Sequence, residues 1–350
     1  MIMAVNDIEI RPVQPEDAER LFQIVSHPRV DAGILGLPSM EFRQTEEWIK
    51  NSSPEHARLV AIIDGKVVGS ATMGKHTRIR RSHTGGIGLM VDPDNWGEGV
   101  GSALTQALVS LADNWFNLTR LELGVFTDND AAIRIYEKFG FQIEGTLQRM
   151  AYGPGGWRDG HYMARLHPSI VDEPVRNSPM PKLEGREPAS VTIRPPRKSD
   201  ARDLYDLFRH PDVCRTTAQI PSQELALTEE RLREENPHLY RYVAEDNGRV
   251  VAMASLNRSK RDRQIHSASL GMSVHPDYWG RRVGSNLMEA LLDLADNWLN
   301  LRRIELDVNT DNLAGIHLYE QCGFEIEGTH RCHMFGEGQW IDSYFMSRLR

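Results

Sequence analysis

The stretch that decides the fold is Gly88-Leu89-Met90-Val91-Asp92-Pro93-Asp94-Asn95-Trp96-Gly97-Glu98-Gly99-Val100-Gly101-Ser102: an apolar strand, a polar turn with spaced glycines, and a helix start. Leu104, Leu108, Leu111 and Trp115 follow at i, i+4, i+7 and i+11, an amphipathic helical phase. A glycine-rich turn entering a helix leaves its first backbone N–H groups unpaired and ready for a pyrophosphate. The dinucleotide fingerprint G-x-G-x-x-G is absent, because no third glycine follows Gly101 at that spacing.

The same stretch occurs twice. Trp96-Gly97 returns as Trp279-Gly280 and Gly101 as Gly284, an offset of 183 residues. Ile10-Arg11-Pro12 and Ile193-Arg194-Pro195, Asp113-Asn114-Trp115 and Asp296-Asn297-Trp298, and Ile143-Glu144-Gly145-Thr146 and Ile326-Glu327-Gly328-Thr329 keep that offset. A unit this large is a duplicated domain rather than a solenoid repeat. Between the copies, residues 168–190 hold Pro168, Pro174, Pro179, Pro181 and Pro188 and few large apolar residues, which predicts a semi-extended linker.

Within each copy the pattern predicts the order β, α, α, β, β, β, α, β, α, β, β. Asp64-Gly65 and Asn247-Gly248 are the favoured type I′ hairpin pairs between apolar runs. Leu121, Leu123 and Val125 alternate as a strand. Asp128-Asn129 offers a helix N-cap, and Ala132, Ile133, Tyr136 and Phe139 share one face of the helix that follows. His27 and His210 precede proline and read as helix-end residues.

The chain has 350 residues, 40% hydrophobic and 26% charged, enough for two globular cores. Lys and Arg total 41 against 49 Asp and Glu, a net charge of −8, which argues against a nucleic-acid partner. No apolar run approaches about 18 residues, so no membrane partner is expected. Cys214, Cys322 and Cys332 lack the spacing of a zinc site or disulfide framework, so a cytoplasmic setting and no metal are expected.

The loop and the blocks after it resemble the GNAT superfamily of acyl-CoA-dependent N-acetyltransferases. The family's phosphate loop reads Q/R-x-x-G-x-G/A. Trp96-Gly97-Glu98-Gly99-Val100-Gly101 matches its glycines and places Trp where Gln or Arg is usual. The Asn, Tyr and Gly-Phe that follow in the family fit Asn129, Tyr136 and Gly140-Phe141, and again Asn312, Tyr319 and Gly323-Phe324. Arg80-Arg81-Ser82-His83, Arg120-Leu121-Glu122-Leu123 and Thr217-Ala218-Gln219-Ile220-Pro221 are similar to the bacterial branch that acetylates free amino acids and aminoacyl compounds. The implied fold is α/β, two tandem GNAT-like domains at 1–167 and 191–350, each a mixed, mostly antiparallel sheet flanked by helices.

The resemblance implies acetyl-CoA as cosubstrate. It would be held in the first copy by Leu89, Met90, Val91, Trp96, Gly97, Glu98, Gly99, Val100, Gly101, Ser102 and Asn129. In the second copy the positions are Met272, Ser273, Val274, Arg281, Arg282, Val283, Gly284, Ser285 and Asn312. A splay of the sheet beside Leu89 to Val91 would let backbone N–H groups hold the pantetheine and polarise the thioester. A small primary amine would attack directly, with Tyr136 and Tyr319 as general acids. Glu122 and Glu305, or His83 and His266, are candidate bases. Arg282 stands where Gly99 stands, which predicts weaker or altered binding in the second copy. The tandem is expected to act as an intramolecular pseudo-dimer, with homo-oligomers open. Acetylation of a protein N-terminus or lysine is the alternative activity, and a non-catalytic acyl-CoA-binding module the alternative class.

Overall fold

The computed structural model describes residues 3–5, 7–31, 33–37, 39–51, 53–180 and 186–350. The chain divides into two compact units, Met1–Glu173 and Pro174–Arg350. The first contains β1 (Met3–Val5), β2 (Ile8–Pro12), α1 (Ala18–Val25), α2 (Pro28–Asp31), α3 (Phe42–Lys50), β3 (His56–Ile63), β4 (Lys66–Lys75), β5 (Thr84–Val91), α4 (Val100–Leu111), β6 (Arg120–Phe126), α5 (Asp130–Lys138), β7 (Gln142–Gly153) and β8 (Gly156–Leu166). The second contains β9 (Thr192–Arg194), α6 (Ala201–Arg209), α7 (Pro211–Thr216), α8 (Leu225–Arg233), β10 (Leu239–Asp246), β11 (Arg249–Arg258), β12 (Ser267–Val274), α9 (Val283–Asp293), β13 (Arg303–Asn309), α10 (Leu313–Gln321), β14 (Glu325–Gly336) and β15 (Gln339–Leu349).

The strand order is β1-β2-β3-β4-β5-β6-β8-β7 in the first unit and β9-β10-β11-β12-β13-β15-β14 in the second. Within each unit one neighbouring pair is parallel, β5 with β6 and β12 with β13, and the others are antiparallel. This is the expected mixed, mostly antiparallel α/β architecture. Both hairpin turns adopt the geometry their letters require, with positive φ at Asp64, Gly65, Asn247 and Gly248. The core of the first unit forms where Leu104 and Leu108 of α4 meet Leu121 and Leu123 of β6 and Tyr136 of α5. Leu287, Leu291, Ile304, Leu306 and Tyr319 repeat it in the second.

Three local expectations change. The helical stripe ends at Leu111, because the chain opens into a π turn at Ala112–Phe116 that swings Trp115 outward to 80% exposure. Between the first strand and the hairpin each unit has three helices rather than two. Pro28 and Pro211 start an additional short turn, the position in which a missing N–H costs least. His210 caps that turn through Nδ1, which accepts from the Asp212 N–H. The added strand β1 pairs with β2.

Of the expected linker, Pro168–Ile170 forms a 3-10 turn and residues 181–185 lie outside the described residues. Arg176 is buried in the second unit, where its guanidinium holds both oxygens of Asp311 at 2.7 and 3.1 Å.

A buried arginine ties each sheet. Arg120, fully buried at the start of β6, donates to both oxygens of Glu144 on β7 at 2.9 and 2.7 Å, and its Nε reaches Glu122 at 3.1 Å. Arg303 does the same with Glu327 at 2.8 and 2.6 Å. Removing one partner of such a pair strands the other charge in a dry site, at a cost of about 3–5 kcal/mol. Arg120→Met should therefore lower unfolding stability by about that amount in urea titrations. A loss under 1 kcal/mol would show that the pair does not hold the sheet.

Candidate active site

The site is built on an interrupted ladder. β5 pairs with β4 from Lys75–Gly85 to Gly69–Val91. With β6 it pairs only from Thr84–Arg120 to Gly86–Glu122. Among the described residues Ile87 to Val91 have no β6 partner, so the two strands part in a notch whose vertex is the Gly86–Glu122 pair. In the second unit β12 and β13 part after Ser269–Glu305, ahead of Met272, Ser273 and Val274. Leu89 and Val91 pack on the α4 side, and Met90 joins the cluster of α1 and α3.

The notch ends at the glycine loop. Gly97 and Gly99 have φ of 86° and 89°, and a Cβ at either would meet nothing within 4 Å, so the backbone here is open to close approach by a phosphate. Gly99 is the N-cap of α4. Gly101 has a different role: a Cβ there would lie 2.9 Å from Ile135 Cδ1, so it sets the packing of α4 on α5. Val100 is buried in the core and Ser102 half-buried in the first turn. Trp96 donates its indole N–H to the Val91 carbonyl at 2.9 Å, anchoring the loop to the strand, and Arg29 lies over its ring. The exposed Glu98 carboxylate is engaged by Asn95 Nδ2 at 2.8 Å.

In the second unit Arg282 takes the left-handed N-cap position with φ 62°, a conformation that costs a side chain about 1–2 kcal/mol. Val283 and Gly284 pack as their counterparts do, with Ser285 in the same first turn. The segment before β9 lies on this loop. Arg186 donates to the carbonyls of Pro276, Asp277 and Trp279, and Arg281 exchanges contacts with Glu187 and Ala189.

Tyr136 and Tyr319 are buried in the two cores beside Phe141 and Phe324. Burial pushes each phenol up to about 12. Asn129 and Asn312 cap α5 and α10, each Oδ1 accepting a backbone N–H three residues on.

The two glutamates differ sharply. Glu122 is buried and engaged by Arg81, Arg120 and His76 Nε2, the last at 2.8 Å. Burial, then the Glu122 charge, drives the Tyr162 phenol well above its usual range. Glu305 has its side chain 44% exposed and pairs with Arg303 at 3.0 Å. Ser259, Gln264 and Phe345 stand where the first unit has His76, Arg81 and Tyr162. The sequence pointed to His83 and His266, whose backbone carbonyls receive the N–H groups that open β6 and β13. His76 is also brought to the vertex glutamate, hidden from a repeat-based reading because its counterpart is a serine.

The buried phenols carry a stability signature. Unfolded tyrosines ionise near pH 10, while Tyr136 and Tyr319 keep their protons to about 12. The folded state therefore binds more protons across that window, and stability falls as pH rises through it. Tyr136→Phe with Tyr319→Phe should flatten the fall by about 2–3 kcal/mol per phenol. Superposable alkaline stability curves for the two proteins would count against this burial.

The model of the acetyltransferase (GNAT) family matches residues 21–141 and 202–324, one match in each unit. The L-amino acid N-acetyltransferase AaaT of Escherichia coli (strain K12) is 39% identical over 162 residues, 46% of this chain and 99% of that protein. A spermidine N(1)-acetyltransferase of Vibrio cholerae is 26% identical over 163 residues, 44% of this chain and 90% of its own. A crystal structure of a GNAT-family acetyltransferase from Streptococcus pneumoniae, 29% identical, covers 46% of this chain and 99% of its own with a TM-score of 0.40. Among the described residues no helix is long and apolar enough to cross a membrane. The chain belongs to the GNAT acetyltransferase family, with one family domain in each half.

Proposed function

We propose that the chain acetylates the primary amine of an amino acid or aminoacyl compound by direct attack on the acetyl-CoA thioester. The observation that carries this reading is the notch between β5 and β6, with an open glycine loop at one end and an acid–base couple at its vertex. The 39% identity with an L-amino acid N-acetyltransferase supports the acceptor class. A reducing, cytoplasmic setting is the one we propose, from the spacing of Cys214, Cys322 and Cys332.

In the first copy Glu122 fixes the His76 ring by its bond to Nε2, and the imidazole takes the proton that the attacking amine must lose. A C–N bond forms at the acetyl carbon, the C–S bond breaks, and the Tyr136 phenol, protonated throughout the neutral range, supplies a proton to the departing thiolate. Glu122, held between Arg81 and Arg120, serves to orient the ring. In the second copy the half-exposed Glu305 stands at the vertex with Tyr319 as the acid. Arg282 and the segment on its loop make this the weaker cofactor site.

His76→Gln in a Tyr319→Phe background should lower amine-dependent CoA release by about 10²–10⁴-fold with acetyl-CoA affinity retained. Unchanged turnover would remove His76 from the mechanism. Calorimetric titration should resolve a tighter and a weaker acetyl-CoA site, the tighter lost in Gly99→Arg and the weaker improved in Arg282→Gly. A panel of free amino acids against peptides tests the acceptor, and turnover confined to peptides would replace the small-molecule reading.

A further inference from the structure

The two units share a backbone, so positions where their chemistry diverges together deserve an explanation. One such group lies on β13, β14 and β15. Asp307, His330, His333 and Ser343 stand where the first unit has Gly124, Leu147, Met150 and Gly160. In the first unit Leu147 and Met150 pack with Phe126 and Ala151 in an apolar cluster, and Met150 fills the space over Gly160. In the second, the same volume holds two imidazoles that are 5% and 2% exposed, with a carboxylate at its edge.

Strand alternation would send residues i and i+3 to opposite faces. Here a β-bulge between His330 and Met334, with Cys332 in the left-handed region at φ 47°, resets the alternation. The bulge is held by the Cys332 N–H, which donates to Asp342 Oδ1 at 2.8 Å. As a result the rings of His330 and His333 face one another with centroids 4.7 Å apart, and Phe345 stacks on His330 as a wall. His330 Nε2 is 3.4 Å from Asp307 Oδ1. Potential ligand atoms of all three residues lie within 4.8 Å of one another.

We propose that Asp307, His330 and His333 form a binding site for a divalent transition-metal ion of the zinc class. Two ligand atoms at about 2.0–2.1 Å from a tetrahedral ion lie about 3.3 Å apart, close to the His330–Asp307 separation. Two imidazoles and one carboxylate are the donor set of zinc, cobalt and nickel rather than of calcium or magnesium. Three protein ligands leave a fourth position open to water or a small anion. Asp307 is two residues beyond the vertex glutamate Glu305 and, by alternation, on the same face of β13. The site therefore adjoins the notch of the second unit, and the first unit, with Gly124, Leu147 and Met150, has no equivalent donors there.

The test uses the full chain, freed of metal with a chelator and titrated with Zn2+ by calorimetry and with Co2+ by visible absorption. One ion per chain is expected at micromolar concentration, with the intense visible bands of low-coordinate Co2+. Asp307→Asn should weaken binding by at least about tenfold. His330→Leu with His333→Met, which installs the first unit's residues, should abolish the bands. Because Asp307 is half exposed, its variant folds even where the double histidine variant does not. Binding weaker than millimolar, or Zn2+ affinity and Co2+ bands unchanged in Asp307→Asn, would overturn the site. The latter result would assign binding to others of the 13 histidines.

Discussion

Everything in this fold turns on a ladder that stops. A parallel pair held by only the contacts from Thr84–Arg120 to Gly86–Glu122 gives up the hydrogen bonds that would continue it. The open stretch is stable because the strands are secured on either side. β4 pairs with β5 throughout the open stretch, and β8 with all of β6. Behind the vertex, Arg120 clamps β6 to β7 through both oxygens of Glu144 and reaches Glu122 on its own strand. The backbone groups left facing the notch are then available to a ligand whose own polar chain can complete them. The helix that follows supplies a positive end at the same opening.

The copies use this frame unequally. In the first, the loop glycines leave the backbone bare, while the vertex is crowded by Arg81, Arg120 and His76 around one carboxylate. In the second, Arg282 occupies a strained cap and the 186–189 segment lies on the loop, yet Glu305 is half exposed. A tandem chain can tolerate this division because each core is complete in itself.

Much of the frame was legible in the letters. The offset of 183 residues predicted two units, Asp-Gly and Asn-Gly predicted the hairpins, and the spaced glycines predicted the helix start. The features that escaped depend on small backbone departures with no local signature. The π turn displaced Trp115 from a perfect helical phase. Glu122 found His76 across the sheet, a pairing set by strand order rather than by sequence distance. The single glutamate motif read the same in both copies although only one is enclosed, since enclosure depends on three residues that differ elsewhere in the chain.

The bulge shows why such divergence is permitted. Its geometry is set by a backbone N–H on an aspartate, Arg149 on Asp159 in one unit and Cys332 on Asp342 in the other. The side chains it gathers take no part in that bond. Leu147 and Met150 can therefore become His330 and His333 without a change of register, at the cost of finding partners for buried nitrogens. An apolar cluster meets its requirement by packing alone. An imidazole pair beside a carboxylate meets it only through polar contacts, and the positions of Asp307 and Ser343 changed to polar residues with it. Four coordinated replacements around an unchanged backbone kink are what a gained ligand site looks like when the fold itself is under no pressure to move.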